Sequence, residues 1–211
     1  TKESTTHLQL EKLWQAEHLT QTRRQLIDDV QNTALLADAA QIFKLGPKNA
    51  HEISQNLEVY DAPALAAWQL YDGVLYEAAK FAQIFSSGDS SQGSQSQGGQ
   101  RQGSQSQGNQ PQGGQGQLEE LTLVFSALFG PVRLTDLITP HRLSGSVKLP
   151  GQGSVASIWS KALKELLTQQ LSGHVVVDLR SAEYGAMYRP LRGGECVMLN
   201  IGVAKVNPAT G

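Results

Sequence analysis

Behind the apolar run LTLVFSALF, residues 121–129, the chain carries Arg133, Asp136, His141 and Arg142 within the stretch SALFGPVRLTDLITPHRLSGSVKL. Strand ends are where α/β proteins commonly build sites. Two guanidinium groups and an imidazole could bind a phosphate or nucleotide, with Asp136 as acid or base. The same residues could equally be surface charges tied in local pairs. A second group follows the apolar run HVVVDL in VVVDLRSAEYGAMYRP, where Ser181, Glu183 and Tyr184 arrive together with Arg189 nearby. A carboxylate beside a phenol and an arginine could do acid–base work or bind a base edge. The alternative is that Ser181 caps a helix and Glu183 is merely solvated.

A third candidate is LGPKNAHEI, residues 45–53. It is similar to the second half of a helix-hairpin-helix, in which a glycine turn aims helix N-terminal amides at a phosphate and a neighbouring lysine adds charge. In this chain those residues are Gly46 and Lys48, and the chemistry suits contact with a nucleic-acid backbone. Lys44 stands where the motif's first hairpin glycine would be, which leaves Gly46 to relax the backbone; an ordinary packed turn is the competing reading. Other motifs are weak. The five histidines form no HExxH or His-x-His pair, and no Walker loop or dinucleotide fingerprint is present, so no metal and no cofactor is expected. In GQGSV, Ser154 is explained by helix capping, and the lone Cys196 reads as a small buried hydrophobe beside Val197 and Met198.

The elements that must position these residues are legible in outline. Leu26, Ile27, Val30, Leu35, Leu36, Ala39 and Ile42 recur at helical spacing, as two helices that break near Asn32 and Thr33. Gly46 ends the run, and Pro47 suits the first turn of a helix from Lys48 to Leu57. In AWQLYDGVLYEAAKF, Gly73 separates a strand or short helix from a helix over Val74 to Phe81. Leu121 to Phe129 reads as a buried strand ended by Gly130 and Pro131. Ser154 caps a helix to about Leu171 with the apolar face Val155, Ile158, Trp159, Leu163, Leu166 and Leu167, closed by Gly173. His174 to Leu179 reads as a central strand, and Cys196 to Val206 as another that wants a hairpin partner after Asn207 and Pro208. Alternating strands and helices favour a mixed α/β fold.

From Ser86 to Gln117 the sequence is almost wholly Gly, Gln and Ser, with QGSQSQG occurring twice. It has no core-forming side chains, so it reads as a disordered insertion. One domain interrupted by a loop is expected, its parts being residues 1–85 and 118–211, and its start at Thr1 and end at NPATG read as those of a piece of a longer protein. The net charge of −2 gives no global pull towards a polyanion, so any such site must be local. No apolar run approaches a membrane span and the first residues are unlike a signal peptide, which together with one cysteine points to the cytoplasm and to no membrane partner.

The blocks LYDGVLYEA, SALFGPVRLTDLITPHRL, the segment around IWSKAL, and VVVDLRSAEY occur in the order of the YaaA family, and the chain resembles it over most of the part outside the insertion. The resemblance implies a mixed α/β domain with a basic cleft, a helix-hairpin-helix-like element, cytoplasmic residence, and a role in protecting the cell and its DNA from peroxide. It implies no cofactor and no established reaction. The residues carried over are Gly46, Lys48, Gly73, Tyr76, Ser126, Gly130, Arg133, Asp136, Pro140, Arg142, Ser181 and Tyr184, with Glu183 beside them. The resemblance implies two further segments, an N-terminal strand and a basic C-terminal stretch. Two functions follow as alternatives: sequence-indifferent contact with DNA, or catalysis on a nucleotide or nucleobase in a cleft lined by Arg133, Arg142 and Glu183. A binding module for another partner is the third.

Overall fold

The computed structural model describes residues 6–71, 74–86, 114–190 and 196–201. Helix α1 (Ala16–Ala34) is followed by α2 (Ala39–Ile42), a 3-10 turn (Pro47–Glu52), α3 (Ile53–Leu57), β1 (Leu65–Ala66) and α4 (Ala67–Leu70). Next come α5 (Val74–Ala79), α6 (Phe81–Ser86), α7 (Gly114–Leu121), β2 (Leu123–Ser126), β3 (Gly130–Arg133) and β4 (Leu137–Ile138). The last part comprises β5 (Lys148–Leu149), β6 (Gly153–Ser154), α8 (Val155–Gln170), β7 (Val175–Asp178), α9 (Ala182–Gly185) and β8 (Val197–Asn200). The mixed α/β class holds, but the described strands form four separate two-stranded ladders: β1–β4, β2–β3 and β5–β6 antiparallel, β7–β8 parallel.

One buried cluster joins both sides of the Gly/Gln/Ser segment. Leu19, Leu26, Ile27 and Val30 from α1 meet Val124, Phe129 and Val132 from the β2–β3 hairpin and Trp159, Leu163 and Leu167 from α8. Burial of these side chains stabilises the fold by about 1.5–3 kcal/mol each. Helix α8 forms as its sequence dictates: the Ser154 hydroxyl accepts the Ser157 amide at 3.1 Å, and Gly173 takes φ +75° just past the end. The break between the first two helices falls at residues 35–38, a little beyond Asn32 and Thr33.

Several expectations need correction. Gly130 and Pro131 do not end the apolar strand; they open its antiparallel return, because the turn 127–129 reverses the chain. Gly130 adopts φ +69°, and a Cβ there would lie 2.6 Å from the Trp159 ring, so the position excludes any side chain. The strand expected at residues 174–179 forms as β7, which among the described residues has one partner and alternates between exposed and half-buried. Its partner is β8, which pairs with it in parallel; the expected continuation of that strand to Val206 and its hairpin partner fall outside the described residues. Helices α6 and α7 reach into the two ends of the span 86–117, up to Ser86 and from Gly114. The disorder expected for the rest of that span, and the role of Gly73, fall outside the described residues.

Candidate functional site

The hairpin's backbone solution differs from the expected one. Gly46 is extended (φ −70°, ψ 163°), and a Cβ added to it would meet nothing. Lys44 instead takes φ +57° as the left-handed residue that closes α2, with Leu45 N–H donating to Ala40 O at 2.8 Å and Lys44 N–H to Gln41 O at 3.1 Å. This is the 6→1, 5→2 pattern that glycine usually serves. The Lys44 Nζ then donates to the carbonyl (3.0 Å) and hydroxyl (3.1 Å) oxygens of Ser146. Pro47 opens the expected helical stretch as a 3-10 turn that runs into α3, and Lys48 lies exposed on it.

The other end of that unit is bolted to the Arg142 loop. The buried Asn56 amide accepts the Arg142 N–H at 2.7 Å and donates to the Arg142 carbonyl at 2.9 Å. Glu52 pairs with the Arg142 guanidinium at 2.9 Å, yet the arginine side chain remains 48% exposed. Thr139, preceding Pro140, adds a buried bond from its hydroxyl to Val59 O at 2.8 Å. On the far side of the loop, Glu183 accepts the Ser146 N–H at 2.9 Å. Hydrogen bonding from Ser144, with further help from the Ser146 and Gly145 amides and the Lys44 charge, holds the Glu183 carboxyl below its usual range against the cost of desolvation. Glu183 is thus an ionised clamp on a loop and a weak proton acceptor.

Beneath the loop, the buried Ser126 and the half-buried His141 form a pair. His141 Nδ1 lies 2.9 Å from Thr139 O, which makes Nδ1 the protonated nitrogen and leaves Nε2, 3.1 Å from Ser126 Oγ, to accept the serine proton. Desolvation lowers the His141 pKa, opposed by the Thr139 bond, so the ring is neutral at physiological pH. The Ser126 oxygen also accepts the Leu128 and Phe129 amides at 3.2 and 3.1 Å. Each of its hydrogen-bonding positions is used in shaping the turn, which suits a structural serine better than a nucleophile. Tyr71 lies against this pair, its buried hydroxyl without a well-formed hydrogen bond among the described residues, and stacks on Tyr76 at 5.8 Å between ring centroids. Burial raises the phenol pKa of Tyr71, that of Tyr76 to about 12, and that of Tyr184.

Arg133 and Asp136 stand apart from this group. Arg133 is exposed, and the Asp136 carboxylate accepts the amides of Trp14 at 2.9 Å and Arg133 at 3.0 Å, which makes it a brace for the β3–β4 turn. Ser181 occupies the N-cap position of α9 without a side-chain bond to the helix, and Arg189 is exposed. Arg142, Glu183 and Tyr184 therefore come together with Ser126 and His141, whereas Arg133 does not join them.

Three positioning residues escaped sequence reasoning. Arg180 pairs with Asp178 through two 2.8 Å bonds, reaches the carbonyls of Tyr184 and Tyr188, and lies 4.3 Å over the Phe125 ring, fixing α9 against β2. The Asp-x-Arg spacing after an apolar run was its visible signal. Arg23 is fully buried and donates to the carbonyls of Phe129, Trp14 and Pro131. Burial lowers its pKa to about 10, opposed by Asp136, so it stays charged. Its signal was an arginine on the apolar stripe of α1, four residues after Leu19. Asn56 had none.

Comparison with known proteins places these residues in a family. The family model described as Peroxide stress protein YaaA matches residues 109–205, the region holding Ser126, Arg142 and Glu183. A UPF0246 protein of Streptomyces coelicolor is 32% identical over 152 residues, covering 72% of this chain and 48% of that protein. A UPF0246 protein of Corynebacterium glutamicum is 28% identical over 176 residues (81% and 58%), and an uncharacterized protein of Campylobacter jejuni is 25% identical over 158 residues (74% and 52%). The chain spans about half the length of the curated relatives it matches. With these matches running through Ser126, Arg142, Glu183 and Tyr184, the chain belongs to the YaaA family of peroxide stress proteins.

Proposed function

We propose that this chain is the DNA-contacting part of a cytoplasmic peroxide-stress protein, gripping the phosphate backbone without regard to sequence through Lys48 and Arg142. The observation that carries this reading is the double hydrogen bond between Asn56 and the backbone of Arg142. It ties α3, which follows the Lys48-bearing turn, to the Arg142 loop, which limits the backbone ordering that binding through these two exposed cations would require. Glu52 tempers Arg142 in the free protein, and a phosphate competes for the same guanidinium. The positive surface is local, which is compatible with a net charge of −2. Arg133, also exposed, is an auxiliary contact in this reading.

Catalysis on a nucleotide or nucleobase is the weaker alternative. The neutral His141 and the tyrosines favour it, but Glu183 is committed to the loop and Ser126 to its turn. The test is fluorescence anisotropy of the full-length protein on two duplexes of unrelated sequence. Arg142→Glu should weaken binding to both by a similar factor, about ten-fold or more, because a phosphate contact becomes a repulsion. Wild-type affinity in that variant, or loss on one duplex alone, would refute the backbone reading.

A further inference from the structure

The ladder β7–β8 carries a feature that neither the loop cluster nor the DNA contact uses. Its register sets Val175 opposite Val197 and Val177 opposite Leu199. Alternation along the strands places Val175, Val177 and Leu179 on one face with Val197, Leu199 and Ile201. All six are exposed, by 66%, 52%, 45%, 54%, 50% and 57% respectively. Val176 and Met198, on the opposite face, are half-buried. A parallel ladder is ordinarily covered on both faces, and a contiguous apolar patch of this kind marks an interaction surface.

We infer that in the full-length protein this face is covered by an amphipathic helix from the segment corresponding to the half of its relatives that lies outside the match. Length supports that occupant: the relatives extend to about twice the matched span, which is ample for a further layer. The chemistry of the face supports a helix. It is an uncharged aliphatic surface on a parallel pair, the kind that crossover helices cover in α/β folds. A second copy of the chain and the chain's own residues 202–211 are the rival occupants.

The experiment places a benzoylphenylalanine photo-crosslinker at Val177, and separately at Leu199, in the full-length protein, with Leu121 (79% exposed) as control. Mass spectrometry should find intramolecular links from both positions to one segment outside residues 1–211, and none from Leu121. In a Cys196→Ser background, Val177→Cys should react with maleimide at least about ten-fold more slowly than Leu121→Cys, since only local opening would expose it. Links between two copies, links confined to residues 1–211, or equal labelling rates at 177 and 121 would each overturn the inference. The cysteine variant changes little volume, so a folding failure of the bulky probe leaves the labelling result to decide.

Discussion

Among single residues, two positions carry sharp expectations. Gly130→Ala should cost about 3 kcal/mol, from the strain of a β-carbon at φ +69° added to overpacking against Trp159, whose ring would lie 2.6 Å from that carbon. Urea unfolding would measure it, and a loss below about 1 kcal/mol would show that the ring yields freely. His141 gives a pH signature. Its folded pKa is depressed below the ordinary value of 6.5, so its neutral form contributes stability that is fully present above that pH and lost as pH falls through 6.5 towards the folded value. Thermal unfolding between pH 7.5 and 5 should show this loss in the wild type. His141→Gln, which keeps a hydrogen-bonding side chain, should be less stable at pH 7.5 and should lack that part of the acid dependence.

Between elements, Asn56 ties α3 to the Arg142 loop. Asn56→Ala should cost about 2 kcal/mol, because the Arg142 amide and carbonyl lose their partner, and should weaken DNA binding without removing a charge. Stability lost with affinity unchanged would separate this tie from the DNA contact. Elements set by local sequence were legible: α8 with its Ser154 cap and apolar stripe, and Gly173 at its end, follow from periodicity and capping chemistry. Those set by distant partners were not. The β2–β3 hairpin was hidden because an unbroken apolar run and a proline masked the turn at 127–129. The left-handed Lys44 was hidden because sequence rules assign that conformation to the glycine two residues later. Within the site, residue types at strand ends pointed to Arg142, Glu183 and Tyr184. The long-range bonds that turn Glu183 and Asp136 into braces depend on residues tens of positions away.

For the whole molecule, residues before and after the Gly/Gln/Ser segment share one core, so the ends at Ser86 and Gly114 are tied by the fold and not by the segment between them. Replacing residues 87–113 with a short Gly-Ser linker in the full-length protein should change Tm by no more than about two degrees, since loop-closure entropy varies slowly with length. A larger fall would show that the segment packs. The proposed local, electrostatic DNA contact by Lys48 and Arg142 has its sharpest check in the salt dependence of affinity. Anisotropy titrations of full-length protein on one duplex across a salt series should give a linear fall of log affinity with log salt, and Lys48→Glu with Arg142→Glu should reduce the slope by about two. A wild-type affinity without a salt slope, or an unchanged slope in the double variant, would contradict that contact.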